Sequence, residues 1–219
     1  MPTTFQHTLT AASLAIVLVG APARDAKLDP IAQTPAYVCP LRGSPQIRPS
    51  DAVAHSGGRF DSSRDGGRKH GALDLNSTEG AAVLSVRAGV VAVSADDWGP
   101  YGSAIIVDHG DGVYTVYAHL SERMVQENDS VATGQQIGAV GYTGNAEALK
   151  AKGLPPHLHF AMIRAGRSGL AEPGQPLRRM RDLDDSWEEL GGEFIGPVNP
   201  GLYMPSTCWT GNTTIGIRR

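Results

Sequence analysis

Four histidines and one aspartate fall into three short stretches of this 219-residue chain: His70-Gly71-Ala72-Leu73-Asp74, Tyr117-Ala118-His119-Leu120 and Pro156-His157-Leu158-His159-Phe160. In the last stretch two imidazoles stand one residue apart in an apolar run, so on a strand both point to the same face. Aligned imidazoles on a half-buried strand are costly unless they hold something. Histidine and carboxylate side chains are ligands of catalytic zinc, which takes three protein ligands and keeps a fourth position open. His70, Asp74 and one of the pair His157 and His159 meet that need, and two histidines remain free to work on a substrate. The residue types therefore point to one Zn2+ per chain.

The spacing makes demands on the elements that carry these residues. Four residues along a straight strand cover roughly 13 Å, whereas atoms sharing one zinc ion lie about 2 Å from it. The segment from His70 to Asp74 must bend, and Gly66, Gly67 and Gly71 make bending cheap. Neighbours on one face of the later strand are about 6–7 Å apart at the backbone, so one can bind metal while the other stands beside it. His119 ends an alternating stretch, with Val113, Thr115, Tyr117 and His119 on one face and Tyr114, Val116 and Ala118 on the other. From there it can reach the site across a neighbouring strand. His109, beside a Gly-rich turn, reads as structural, and His55 as a surface residue.

Composition agrees with a strand-built scaffold. The chain has 27 glycines and 15 prolines with only 6% aromatics, which suits short strands joined by turns rather than a helical bundle. Apolar stretches at residues 82–93, 104–107, 113–119 and 136–140 are separated by Gly turns, among them Asp108-His109-Gly110-Asp111-Gly112, a hairpin signal. The fold class expected is mainly β, a compact antiparallel sandwich or partly closed barrel with few short helices. One helix is expected over residues 146–152, capped by Asn145 and ended by Gly153. Residues 177–190 are a second helical candidate, with an exposed, weakly held segment as the equal alternative because of their charges.

A formal net charge of -3 gives no basic footprint for nucleic acid. The apolar run at residues 11–19, followed by Gly20-Ala21-Pro22-Ala23, reads as a secretory signal peptide over residues 1–23. It is shorter than the ~20 residues that span a bilayer. Export, to a periplasm or to the outside, would let Cys39 and Cys208 pair as a disulfide. Residues 24–51 read as an extended arm, 52–205 as the main domain and 206–219 as a C-terminal tail.

The ordered set of H-x3-D, Y-A-H-L and H-L-H-F resembles the lysostaphin-type (LytM-like) zinc metallopeptidases of peptidase family M23. Flanking sequence agrees, including Asp108-His109-Gly110, the Val131–Gly138 run and Gly141-Tyr142-Thr143-Gly144. The resemblance implies zinc held by His70, Asp74 and His159, with His119 and His157 assisting catalysis. It also implies a small antiparallel domain with a groove walled by loops, and peptide cross-links or bridges of bacterial peptidoglycan as substrate. Three departures stand out: Gly71 and Ala72 are exchanged, Ala161 replaces a Glu, and extra residues enter at about 145–153. A further insertion at about 164–196 has no counterpart.

Two other readings fit parts of the pattern. A non-hydrolytic module of the same fold would hold zinc without cutting, although such relatives often lose one of the five positions kept here. A non-haem Fe(II) oxygenase also uses two histidines and a carboxylate. Its usual spacing is HxD or HxE, and it has no use for two further histidines.

Overall fold

Short apolar stretches broken by Gly turns fold into two antiparallel sheets. The computed structural model describes residues 37–49, 57–64, 69–164, 188–190 and 193–210. In chain order the strands are β1 (Leu73–Asn76), β2 (Ala82–Leu84), β3 (Gly89–Ala95), β4 (Ala104–Asp108), β5 (Val113–Ala118), β6 (Leu120–Arg123), β7 (Ser130–Val131), β8 (Gln136–Val140), β9 (His157–Arg164), β10 (Glu188–Leu190) and β11 (Glu193–Val198). The larger sheet runs β10-β11-β9-β5-β4-β3-β7, with β1 also on β9, and the smaller runs β2-β8-β6. This is the mainly β, antiparallel class expected, and among the described residues no sheet closes into a barrel.

Strand β9 is the axis of the larger sheet. One of its edges pairs with β5, from Val113 opposite Arg164 to Ala118 opposite His159. The other edge is shared, β1 taking the half from His157 to Phe160 and β11 the half from Met162 to Arg164. Both faces of this strand are covered. Leu158, Phe160 and Met162 join a cluster with Leu73, Leu75, Ile105 and Tyr117. Ala161 and Ile163 join a second cluster with Ala72, Tyr114, Val116 and Ala118.

The alternation read in residues 113–119 therefore separates two cores rather than core from solvent, and all six residues of β5 are buried. Side chains such as Phe160 and Tyr117, fully buried, each contribute about 1.5–3 kcal/mol by leaving water. The smaller sheet supplies Val83, Leu120, Ile137 and Val140 to the first cluster. The Tyr117 hydroxyl, buried between the sheets, is hydrogen-bonded to the Val86 N–H at 2.9 Å and to the Thr115 hydroxyl at 3.0 Å. Burial pushes its pKa up to about 12. His109 is structural, as read: its ring nitrogens bond the Ala88 carbonyl and the Thr115 hydroxyl, both at 2.9 Å.

The helical expectations need correction. Within residues 144–153 a single α-helical turn forms, α1 (Glu147–Lys150), preceded by a 3-10 turn at Gly144–Ala146. Asn145 lies inside that 3-10 turn, and the residue before α1 is Ala146, which makes no side-chain cap. The turn forms because the Gly144 backbone is pressed against Gly102, where an added Cβ would meet Gly144 N at 2.3 Å. Gly153, at φ +68°, does end the helical stretch. Of the second candidate, residues 188–190 form β10 in place of helix, because they pair with β11. The rest of that candidate, the leader at 1–23 and His55 lie outside the described residues.

Residues 37–49 form a strap across the first cluster. Tyr37, Leu41 and Ile47 are buried in it, and Leu41 and Ile47 bridge to Val83 and Leu75. Gln46 bridges to Thr210, and Cys39 is disulfide-bonded to Cys208, 169 residues away. Cys208 and Trp209, in the stretch read as a tail, are buried in the same cluster. Among the described residues no helix is long and apolar enough to cross a membrane.

Replacing both Cys39 and Cys208 by Ala should lower stability by roughly 2–5 kcal/mol. Urea unfolding without reductant measures this, and an unchanged midpoint would mean that packing alone holds the strap.

Candidate metal centre

The antiparallel register brings distant residues onto one face. Asp74 on β1 lies opposite His159, and Asn76 lies opposite His157. Ala118 lies opposite His159 on the other edge of β9. Directly opposed residues share a face, so Asp74, His157 and His159 line the side of the sheet that carries the second cluster. His70 precedes β1, and a bend at Ala72 turns it back towards Asp74. The bend that the spacing required is present but falls at Ala72 rather than at a glycine, while Gly66 and Gly67 lie outside the described residues.

His119 arrives differently from the strand reading. Continued extended backbone would place it on the face of Thr115 and Tyr117, away from the site. Instead its φ is +62°, a left-handed conformation uncommon for a residue with a side chain. The turn swings the imidazole to the opposite face, where its ring centroid is 4.9 Å from that of His157 and 5.7 Å from that of His159. Two contacts hold the turn. The His119 backbone N–H bonds the Tyr101 carbonyl at 2.9 Å, and its Nδ1 bonds the Thr143 carbonyl at 2.9 Å.

All five residues singled out from the sequence meet here, each at most 4% exposed. Ligand atoms of His70, Asp74 and His159 lie within 4.8 Å of one another, a group that can hold a metal ion. His70 Nε2 is 3.2 Å from Asp74 Oδ1 and 3.4 Å from His159 Nδ1, and His159 Nδ1 is 3.0 Å from Asp74 Oδ1. His70 Nδ1 bonds the Arg59 carbonyl at 3.0 Å. A carbonyl only accepts, so Nδ1 carries the proton and Nε2 offers its lone pair inward.

Lone pairs at such separations repel one another unless a proton or a cation lies among them. Tetrahedral zinc with ligands at about 2.0–2.1 Å would set its ligand atoms roughly 3.3 Å apart, close to the edges of this triangle. The donor set, two imidazoles and a carboxylate, fits the ion. His157 stands outside the triangle, its Nε2 3.7 Å from Asp74 Oδ1.

Charge follows from burial. Removal from water alone would raise the Asp74 carboxyl, but the imidazoles of His70, His157 and His159 around it hold it well below the usual carboxylate range. Burial pushes the imidazole of His119 down to about 4, with His159 adding to the effect. His157 is pushed well below its ordinary value by burial too, against the pull of Asp74. Both therefore stand neutral at neutral pH, able to accept a proton. His157 Nδ1 is buried without a hydrogen-bond partner.

Several contributors escaped the sequence reading. Tyr101, in a stretch read only as a turn, has its ring 5.2 Å from that of His159. Arg48 and Arg64 reach Asp74 Oδ2 at 2.9 and 3.3 Å. Gly58 packs so closely on Asp74 that an added Cβ would meet the Asp74 Cβ at 2.5 Å. No local pattern marks any of these, since each acts through a contact made only when separate segments come together.

The comparisons with known proteins fall on this same stretch. Residues 68–169 match the family model of peptidase family M23. Cell division protein DipM of Caulobacter vibrioides is 34% identical over 96 residues, covering 44% of this chain and 15% of that protein. Peptidoglycan DD-endopeptidase ShyA of Vibrio cholerae is 33% identical over 99 residues, 45% of this chain and 21% of ShyA. Murein hydrolase activator NlpD of Escherichia coli is 30% identical over 104 residues, 48% of this chain and 25% of NlpD. The match therefore spans a quarter or less of each of these relatives. The stretch that matches peptidase family M23 contains His70, Asp74, His119, His157 and His159, so the whole metal centre lies in the part of the chain that is similar to that family.

Proposed function

We propose that this protein is a zinc-dependent endopeptidase acting on peptide cross-links or bridges of bacterial peptidoglycan. The observation that carries this is the separation of one buried face into two sets. His70, Asp74 and His159 converge on a point, and His119 and His157 stand beside them as neutral imidazoles. A binding module has no need of the second set. The similarity to ShyA, a peptidoglycan DD-endopeptidase by name, supports the substrate class.

In this reading His70, Asp74 and His159 hold one Zn2+. When bound, zinc supplies positive charge that makes water acidic near neutral pH and polarises a substrate carbonyl. The Thr143 carbonyl keeps the proton of His119 on Nδ1, so Nε2 is left to take a proton from the attacking water. His157, with Nδ1 buried and unpartnered, offers a polar atom to the substrate or to charge that develops on it. Tyr101 packs beside His159 and keeps that ring in place.

The disulfide between Cys39 and Cys208 supports export to an oxidising compartment, periplasmic or external, after removal of the leader at 1–23. The domain so exported would be residues 52–205, with residues 37–49 and 206–210 packed upon it.

The similarity to NlpD, named as a hydrolase activator, favours a second reading in which the same domain binds peptidoglycan and regulates rather than cuts. Digestion of purified peptidoglycan, with products read by mass spectrometry, separates the two. The endopeptidase releases peptide fragments, and a chelator stops the release. Binding of the polymer with no fragments would establish the regulator.

Two variants test the residue roles. His70→Ala should lose the metal, seen by elemental analysis after dialysis, together with all hydrolysis. His119→Ala should keep the metal and lose roughly 100-fold or more in kcat/KM, the scale of general-base catalysis. Full activity of His119→Ala would remove it from the mechanism.

A further inference from the structure

Asp74 divides its carboxylate between two tasks. Oδ1 faces the histidines, 3.2 Å from His70 Nε2 and 3.0 Å from His159 Nδ1. Oδ2 faces the opposite way, into Arg48 Nη2 at 2.9 Å and Arg64 Nη2 at 3.3 Å. The Arg48 and Asp74 side chains are 13% and 3% exposed, so their attraction is screened far less than that of a surface pair.

Arg48 is fixed relative to Asp74 at the backbone as well. Its N–H bonds the Asp74 carbonyl at 2.9 Å, the Gly58 N–H bonds the Arg48 carbonyl at 2.8 Å, and the Asp74 N–H bonds the Gly58 carbonyl at 2.8 Å. The three residues form a closed triangle of main-chain bonds. Only glycine fits the third corner, because a Cβ there would lie 2.5 Å from the Asp74 Cβ and 3.1 Å from the Arg48 Cβ. Arg48 Nε is buried with no partner of its own. The side chain thus leaves one donor unsatisfied while presenting another to Asp74.

We propose that Arg48, carried by the strap, is a positioning residue for the metal centre: by holding Asp74 Oδ2 it presents Oδ1 as a single-oxygen ligand and sets how tightly the centre holds its metal. The inference rests on the metal-site reading above. A carboxylate free to rotate can offer either oxygen or both. One pinned by two guanidiniums offers one, at a fixed angle, and does not have to be ordered when the ion arrives. Arg64 reinforces the grip from the loop that precedes His70, and its own position is fixed by Nη1 bonding the Gly57 carbonyl at 2.9 Å. Outer partners of a ligand tune metal affinity in this way, and their loss typically costs about 10–100-fold.

The test is zinc affinity of the full chain, measured by competition with a chromophoric chelator, with folding checked by circular dichroism. Arg48→Met should bind zinc about 10–100-fold more weakly. Arg48→Lys, which keeps the charge but loses the planar fork, should fall between that variant and the parent, and Arg64→Met should show a smaller loss in the same direction. Leu41→Ala loosens the packing of the same strap at a residue 2% exposed, without touching Asp74. It should lower the melting temperature and leave zinc affinity as in the parent.

Parental affinity in Arg48→Met overturns the proposal, as does an equal loss in Leu41→Ala, which would reduce Arg48 to a packing residue. Should Arg48→Met fail to fold, Arg48→Lys and Arg64→Met decide, and parental affinity in both overturns it. His70→Ala is the separate control. If that variant still binds zinc like the parent, the metal-site reading fails; if it loses zinc while Arg48→Met does not, only the role of Arg48 fails.

Discussion

A carboxylate buried to 2% exposure is expensive to keep ionised unless cations or donors surround it. Asp74 is that group here, and much of the local architecture follows from supplying its surroundings. Histidines approach one oxygen from β9 and from the bend before β1, while arginines approach the other from the strap and from the loop before His70. Four separate segments of chain thus converge on one side chain. Hydrophobic burial brings them near, but the charge decides which atoms face inward.

The scaffold meets this demand through the division of β9. A strand paired from His159 to Arg164 by β5 on one edge, and by two different strands on the other, is held on both edges and covered on both faces. Such a strand has little freedom to shift register. A slip of one residue would exchange His157 and His159 for Leu158 and Phe160 on the site face. It would carry two imidazoles into the first hydrophobic cluster and two large apolar side chains against Asp74 and His70. The same packing that stabilises the sheet therefore specifies the site.

Much of this was legible from residue types. The strands and Gly turns follow from local periodicity, the pairing of Cys39 with Cys208 from two cysteines in a chain read as exported, and the grouping of His70, Asp74, His119, His157 and His159 from residue types together with the resemblance to family M23. Where local pattern misled, long-range contact was the reason. His119 sits one residue past an alternating strand, yet bonds to Tyr101 and Thr143 twist it to the other face. Asn145 has the chemistry of a cap, but the close approach of Gly102 and Gly144 imposes a 3-10 turn there. Glu188 to Leu190 ended a stretch that read equally as helix or as an exposed, weakly held segment, and became a strand because β11 lies beside it. Arg48 was invisible for the same reason, being an ordinary residue of a Pro-rich arm until the arm folds back on Asp74.

The disulfide that ties the strap has one further consequence, which concerns order in time. Cys39 is synthesised 169 residues before its partner Cys208. A chain made and delivered N-terminus first therefore carries its strap unfastened while every histidine of the site is already present. The fastening comes last, when the segment holding Cys208 and Trp209 reaches the core. It works as a gauge of length, because a chain that stops short of Cys208 has the whole set of site histidines but lacks the covalent tie on the segment that bears Arg48.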